Sequence, residues 1–141
     1  MSTIPSAVDF GAISVGDALP VLRKGVTVEQ IRAYAEASGD RNPIHLDDAF
    51  ARSVGLPGVI AHGMLTMAFA CQLLTDWLGD RSRVKTLHGR FSAMVLPGDE
   101  VRCSGIVSRK DPERRRLTVE VSVENQRGER VLTKGIAEAE L

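Results

Sequence analysis

Residues 62–78 read HGMLTMAFACQLLTDWL. From Met64 to Leu78, eleven of fifteen residues are apolar, and on a helical wheel they cover nearly every side. A helix that is apolar almost all round must be surrounded by the rest of its domain. Its 17 residues, at ~1.5 Å each, make a rod of roughly 25 Å. Thr66, Gln72, Thr75 and Asp76 interrupt the run, so it reads as the core helix of a globular domain and not as a membrane span.

The chain that follows changes its period from helical to two. Leu87, Gly89, Phe91, Ala93 and Val95 alternate with Thr86, His88, Arg90, Ser92 and Met94, and Val101, Cys103, Gly105 and Val107 alternate with Arg102, Ser104 and Ser108. Both patterns predict half-buried strands. Leu117, Val119, Val121 and Val123 mark a third, and residues 130–138 a fourth. Pro97-Gly98-Asp99, Lys110-Asp111-Pro112-Glu113 and Asn125-Gln126-Arg127-Gly128 supply the turns. One buried helix followed by a four-strand antiparallel meander predicts an α+β domain in which a curved sheet wraps the helix, the description of a hot-dog fold.

Upstream, Thr27-Val28-Glu29-Gln30 has the form of a capping box: the Thr hydroxyl accepts from the amide three residues on, and Gln30 reaches back. Gly39 supplies a stop, so a helix is expected over 28–38. A shorter one is expected from Asp47 to about Val54, and residues 18–23 read as a short edge strand or extended arm. The chain of 141 residues shows no repeat or linker, and is read as one domain whose first seven or eight residues fray.

Eighteen basic residues balance eighteen acidic ones, which removes the electrostatic footprint of a nucleic-acid binder. Cys71 and Cys103 lie in apolar segments and read as buried thiols in a reducing compartment. The N-terminal stretch has no basic region leading into an apolar run, so neither signal peptide nor membrane anchor is expected, and the location read from the sequence is cytoplasmic.

Three histidines, His45, His62 and His88, show no metal-ligand spacing with one another or with a cysteine, so no metal site is expected. Neither a Gly-rich phosphate loop nor a GxSxG elbow is present. What remains is Ser38-Gly39-Asp40-Arg41-Asn42-Pro43-Ile44-His45. Pro43 biases Asn42 towards extended geometry, which holds Asp40 and His45 on either side of a constrained bend. A carboxylate and an imidazole that share a water can take a proton from it and return one. The plainer alternative is that Asp40 satisfies turn amides and His45 packs beneath the next helix. Ala61-His62-Gly63-Met64 opens the core helix, so the free amides of its first turn and the positive end of its dipole face outward at Gly63. An oxygen developing negative charge there would gain ~2.7–4 kcal/mol per donor; alternatively, that glycine only permits close packing against the sheet.

Together, GDRNPIHLDDAFA and the later IAHGMLTMAF resemble the MaoC-like family of (R)-specific hydratases and dehydratases that act on acyl thioesters, in motif order as well as content. The resemblance extends to Arg90-Phe91 and the Pro97-Gly98-Asp99 turn, and the compact size is similar to the catalytic subunit of the mycobacterial mycolic-acid dehydratases. It implies that Asp40 and His45 are the catalytic pair that holds and activates water, and that the Gly63 amide is the oxyanion hole. Asn42 would brace the bend, and His62 would have a supporting role beside the oxyanion site. Some relatives carry a serine two turns into the core helix where this chain has Cys71.

The activity implied is interconversion of trans-2-enoyl and (3R)-3-hydroxyacyl thioesters of coenzyme A or acyl carrier protein, without cofactor. The assembly implied is a homodimer, or a heterodimer with a related hot-dog subunit. Two rivals stay open. A hot-dog thioesterase would ordinarily carry its carboxylate on the core helix, where Asp76 is the only acid; a non-catalytic acyl-binding subunit has no need of an acid–base pair. His88 and Arg90 either line the thioester entrance or are solvated. Arg109, Lys110, Arg114, Arg115 and Arg116 either meet phosphates or an acidic carrier surface, or form a solvated hairpin. Met64, Met67, Phe69, Leu73, Leu74 and Trp77 read as core, although an acyl tunnel uses the same residue types.

Overall fold

The segments of period two all become strands, but not in a simple meander. In the computed structural model, which describes residues 8–141, the strands are β1 (Leu22–Gly25), β2 (Val84–Phe91), β3 (Glu100–Asp111), β4 (Arg116–Asn125) and β5 (Arg130–Glu140). They form one antiparallel sheet in the order β1-β3-β4-β5-β2. Only β3, β4 and β5 meander; β2 crosses to the far edge and pairs with β5. The alternation expected to run to Val95 leaves the sheet after Phe91. Residues 92–97 return past the start of the core helix, where the Val95 carbonyl accepts from the Ala61 amide at 2.8 Å.

The helices are α1 (Val28–Ser38), α2 (Asp48–Ser53) and α3 (Gly63–Leu78). The Thr27 hydroxyl caps α1 by accepting from the Gln30 amide at 3.1 Å, and Gly39 closes it in the left-handed region at φ 78°. The reciprocal half of the capping box does not form, and Gln30 Oε1 is buried without a partner among the described residues. Asp47 caps α2 through the Phe50 amide. On the concave face of the sheet, α3 buries Leu65, Thr66, Phe69, Ala70, Leu73, Leu74 and Leu78 against Val101, Cys103, Val107, Val119, Val121 and Val123. It is not wholly enclosed: Met64 is 57% exposed and Ala68 is exposed, while Met67, Cys71 and Trp77 are half-buried. Cys71 is thus not the buried thiol expected, whereas Cys103 is fully buried and its thiol is pushed up to about 11 by burial.

At both edges the strands differ from expectation. Pro20, which has no N–H to give a ladder, delays β1 to Leu22, so that of the expected segment Ala18 makes only an isolated bridge to Ile106. β2 is half-buried only at Val84 and Leu87, and Phe91 is 45% exposed, because nothing pairs with its outer side among the described residues. β5 carries a bulge: Val131 and Leu132 are both buried, Lys134 has φ 51°, and alternation resumes at Gly135. Gly135 is required there, since a side chain would run into the Val121 carbonyl oxygen.

The turn before β3 is tied to the β4–β5 hairpin by Asp99. This buried carboxylate accepts from Arg127 at 2.7 and 2.9 Å, from Gln126 at 2.8 Å and from the Leu96 amide at 2.9 Å. Among the described residues no helix is long and apolar enough to cross a membrane. The expected fraying of the N-terminus falls on residues outside those described, apart from Val8, which packs against the core.

Candidate active site

The bend after α1 is built from nested side-chain turns. The Asp40 amide donates to Ser38 Oγ, the Asn42 amide to Asp40 Oδ1 and the Ile44 amide to Asn42 Oδ1, the last two at 3.2 Å. Asn42 is held extended ahead of Pro43 (φ −55°, ψ 127°) and caps the short 3₁₀ turn Pro43–His45. This turn docks onto the segment leading into α3. The Ile60 amide donates to the Ile44 carbonyl at 3.1 Å, and the Ile60 carbonyl accepts from His45 Nδ1 at 2.7 Å. A carbonyl only accepts, so His45 carries its proton on Nδ1, leaving the Nε2 lone pair free to take one.

Asp40 is exposed, whereas His45 and His62 are 8% and 2% exposed. One donor atom from each of the three lies within 4.8 Å of the others. Two hydrogen bonds of ~2.8 Å meeting at one water span roughly 4.6 Å, so the Asp40 carboxylate and the His45 ring are close enough for one water to reach both. Bringing His62 into this cluster is something the linear spacing does not show. The trio is nevertheless a poor metal cradle. The two imidazoles are stacked, with ring centroids 3.7 Å apart and planes at 23°. An ion ~2.1 Å from a ring nitrogen lies in the plane of that ring, and two near-parallel planes at this spacing share no such point.

At the start of α3 the first-turn amides have no side-chain cap. The other two helices and all three short 3₁₀ turns carry one, from Thr27, Asp47, Asp9, Asn42 and Asp80. Gly63 and Thr66 line a cavity of about 380 Å³ with Ile60, Ala61, Phe91, Val95 and Val131, large enough for a small-molecule site. Neither Asp40 nor His45 lines it; Gly63 is where the cavity meets the helix start. The packing alternative for Gly63 is also satisfied, because an added Cβ would sit 2.9 Å from the Phe91 ring. The glycine thus admits the Phe91 ring at the helix start.

The other candidates lie apart. His88 and Arg90 are exposed on β2. The basic hairpin sits at the opposite end of the sheet, beside Val84 and Ala139, while Phe91 pairs with Leu132; seven residues along β2 separate the two ends by roughly 23 Å. Within it Lys110 donates to the Ile13 carbonyl and covers the Phe10 ring, Arg115 donates to the Leu141 carbonyl, and Arg116 pairs with Glu138 and Glu140. Asp76 is exposed near the C-terminal end of α3. Sequence reasoning missed three contributors. The Ile60 carbonyl is backbone and leaves no signal. Thr66 read as an interruption of the core run. Tyr34, the only tyrosine, lies on α1 with its ring 4.7 Å from that of His62, a contact across 28 residues that leaves no local signal.

Residues 15–128 match the model of the MaoC like domain. The chain is 36% identical over 116 residues to fatty acid synthase subunit beta of Gibberella zeae, covering 81% of this chain and 6% of that protein. It is 44% identical over 64 residues to the peroxisomal enoyl-CoA hydratase 2 of Arabidopsis thaliana, covering 44% of this chain and 21% of the relative. Among solved structures, the (R)-hydratase from A. caviae involved in PHA biosynthesis superposes with a TM-score of 0.85 at 29% identity, over 92% of this chain and 98% of that one. The chain therefore spans only a small part of the curated relatives and nearly all of a compact hydratase. With the domain match covering most of its length, this α+β hot-dog chain belongs to the MaoC-like domain family.

Proposed function

We propose that this domain adds water to trans-2-enoyl thioesters to give (3R)-3-hydroxyacyl thioesters, and catalyses the reverse dehydration. The observation that carries this reading is the Asp40–His45 pair, close enough for one water to reach both, with the Ile60 carbonyl leaving His45 Nε2 as the proton acceptor. In hydration, the pair removes a proton from the bound water as its oxygen bonds to C3. The electron pair of the C2–C3 double bond moves towards the thioester, and the charge on the carbonyl oxygen is met by the Gly63 amide on the uncapped end of α3. A proton returned to C2 completes the addition. Asn42 holds the bend and His62 supports it from the α3 side. The family resemblance and the hydratase relatives support a coenzyme A or carrier-protein thioester as substrate, with no cofactor. The family resemblance also supports pairing with a second copy or with a related hot-dog subunit.

The test follows loss of enoyl absorbance with crotonyl-CoA and a longer enoyl-CoA, with chiral analysis of the product. Asp40→Asn and His45→Gln should each slow turnover by about 10²–10⁴-fold. Release of free thiol in place of hydration would mean a thioesterase. Wild-type rates in both variants would remove the pair from the chemistry.

A further inference from the structure

We infer that His62 is a positioning residue, one that locks the Asp40 bend to the oxyanion end of α3 while His45, and not His62, exchanges protons. This deepens the hydratase reading and rests on it. His62 is the N-cap residue of α3, adjacent in sequence to Gly63, yet its side chain does not cap the helix. Its Nε2 donates instead to the Asp40 carbonyl at 2.9 Å, across 22 residues of sequence. One side chain therefore joins the backbone that carries the carboxylate to the backbone that carries the Gly63 amide. The link is needed because Gly39–Asn42 is irregular chain, held otherwise by its own side-chain turns.

The ring is clamped on two sides, by Tyr34 from α1 at 4.7 Å and by His45 at 3.7 Å. Its Nδ1 is buried with no partner among the described residues. In the neutral ring this is an idle lone pair; protonated, it would be a buried N–H with no acceptor, on a cation stacked against a second imidazole. Three titratable groups face it: Tyr34, His45 and the Asp40 carboxylate. That single carboxylate balances one imidazolium only. His45 is the ring equipped to be that one, because Ile60 accepts from its Nδ1 and leaves the Nε2 lone pair to take a proton.

Two variants separate positioning from filling. His62→Gln keeps an N–H able to reach the Asp40 carbonyl but loses the ring; His62→Phe keeps the ring and loses the donor. With enoyl-CoA as substrate, His62→Phe should lower kcat about 10–100-fold with KM within about threefold, and His62→Gln should recover to within about fivefold of wild type. Imidazole ¹⁵N NMR of the wild type should show His62 as the Nε2–H tautomer and His45 as the Nδ1–H tautomer. The opposite order of the variants, equal loss in both, a loss carried by KM, or an Nδ1–H tautomer at His62 overturns the inference. A folded wild type without hydratase activity refutes the functional reading instead, and the NMR tautomer still decides which nitrogen of His62 donates.

Discussion

Replacing Asp99 by asparagine probes the one buried carboxylate whose surroundings have a measurable pH signature. Burial pushes its carboxyl up, but the hydrogen bonds from Arg127, the Leu96 amide and Gln126 outweigh that and hold it down at about 2, against an ordinary 3.8. The native state therefore binds its proton later than the unfolded chain does. The stabilisation is complete above about pH 4 and is lost as pH falls towards 2. The difference corresponds to about 2 kcal/mol, reduced to roughly 1–2 because the Arg127 partner is part-exposed and screened by solvent. Asp99→Asn keeps the shape and most acceptors but removes the charge that Arg127 grips at 2.7 and 2.9 Å. Urea unfolding should show the variant less stable by roughly 1–2 kcal/mol at pH 7, with Tm lower by roughly 5 °C. The gap between the two proteins should narrow steadily from about pH 4 as pH falls towards 2 and the wild-type carboxylate takes up its proton, whatever the other acids do to both. A gap that stays constant across that range would show that the ion pair contributes nothing and refute the reasoning.

Gly135→Ala places a Cβ on the Val121 carbonyl oxygen, so it should cost more than about 3 kcal/mol or abolish folding; near-wild-type stability in a urea titration would disprove the β4–β5 register. Thr27→Ala removes the cap bond to the Gln30 amide and should cost about 1 kcal/mol, with Thr27→Ser largely preserving it; thermal melts compare the three. Half-buried Cys71 should react with an aromatic disulfide reagent in the native protein, while Cys103, buried and raised to about 11, reacts only on unfolding; a Cys71→Ser variant that still gives the fast equivalent would reverse that assignment.

The parts of the fold that could be read in the sequence are those specified by neighbours along the chain. Thr27 and Gly39 mark the ends of α1, Asp47 starts α2, and β4 alternates cleanly because strands flank it on both sides. Pairing order is not a local property, so the run 86–95 concealed both the departure of the chain at Phe91 and the partnership of β2 with β5. The edge position of β2 also leaves its alternation without the burial that the same pattern brings in β3. In the site, the bend and the helix start are visible as motifs, since proline geometry and helix termini act over a few residues. The contact of His62 with the Asp40 carbonyl spans 22 residues, and the tautomer of His45 is set by a backbone oxygen, so neither has a residue-type signature.

The arrangement of α3 ahead of β3, β4 and β5 has a consequence for synthesis. Leu65, Phe69, Leu73 and Leu74 are translated before any of the strands whose valines bury them, and the last of those strands ends 62 residues after the helix does, Leu78 to Glu140. At ~5–20 residues per second the ribosome takes roughly 3–12 s to supply that cover. During this interval α3 has only earlier residues such as Phe10, Ile13, Leu19 and Val26 to pack against, and its sheet-facing side is a substrate for holding chaperones until the strands that bury it have emerged.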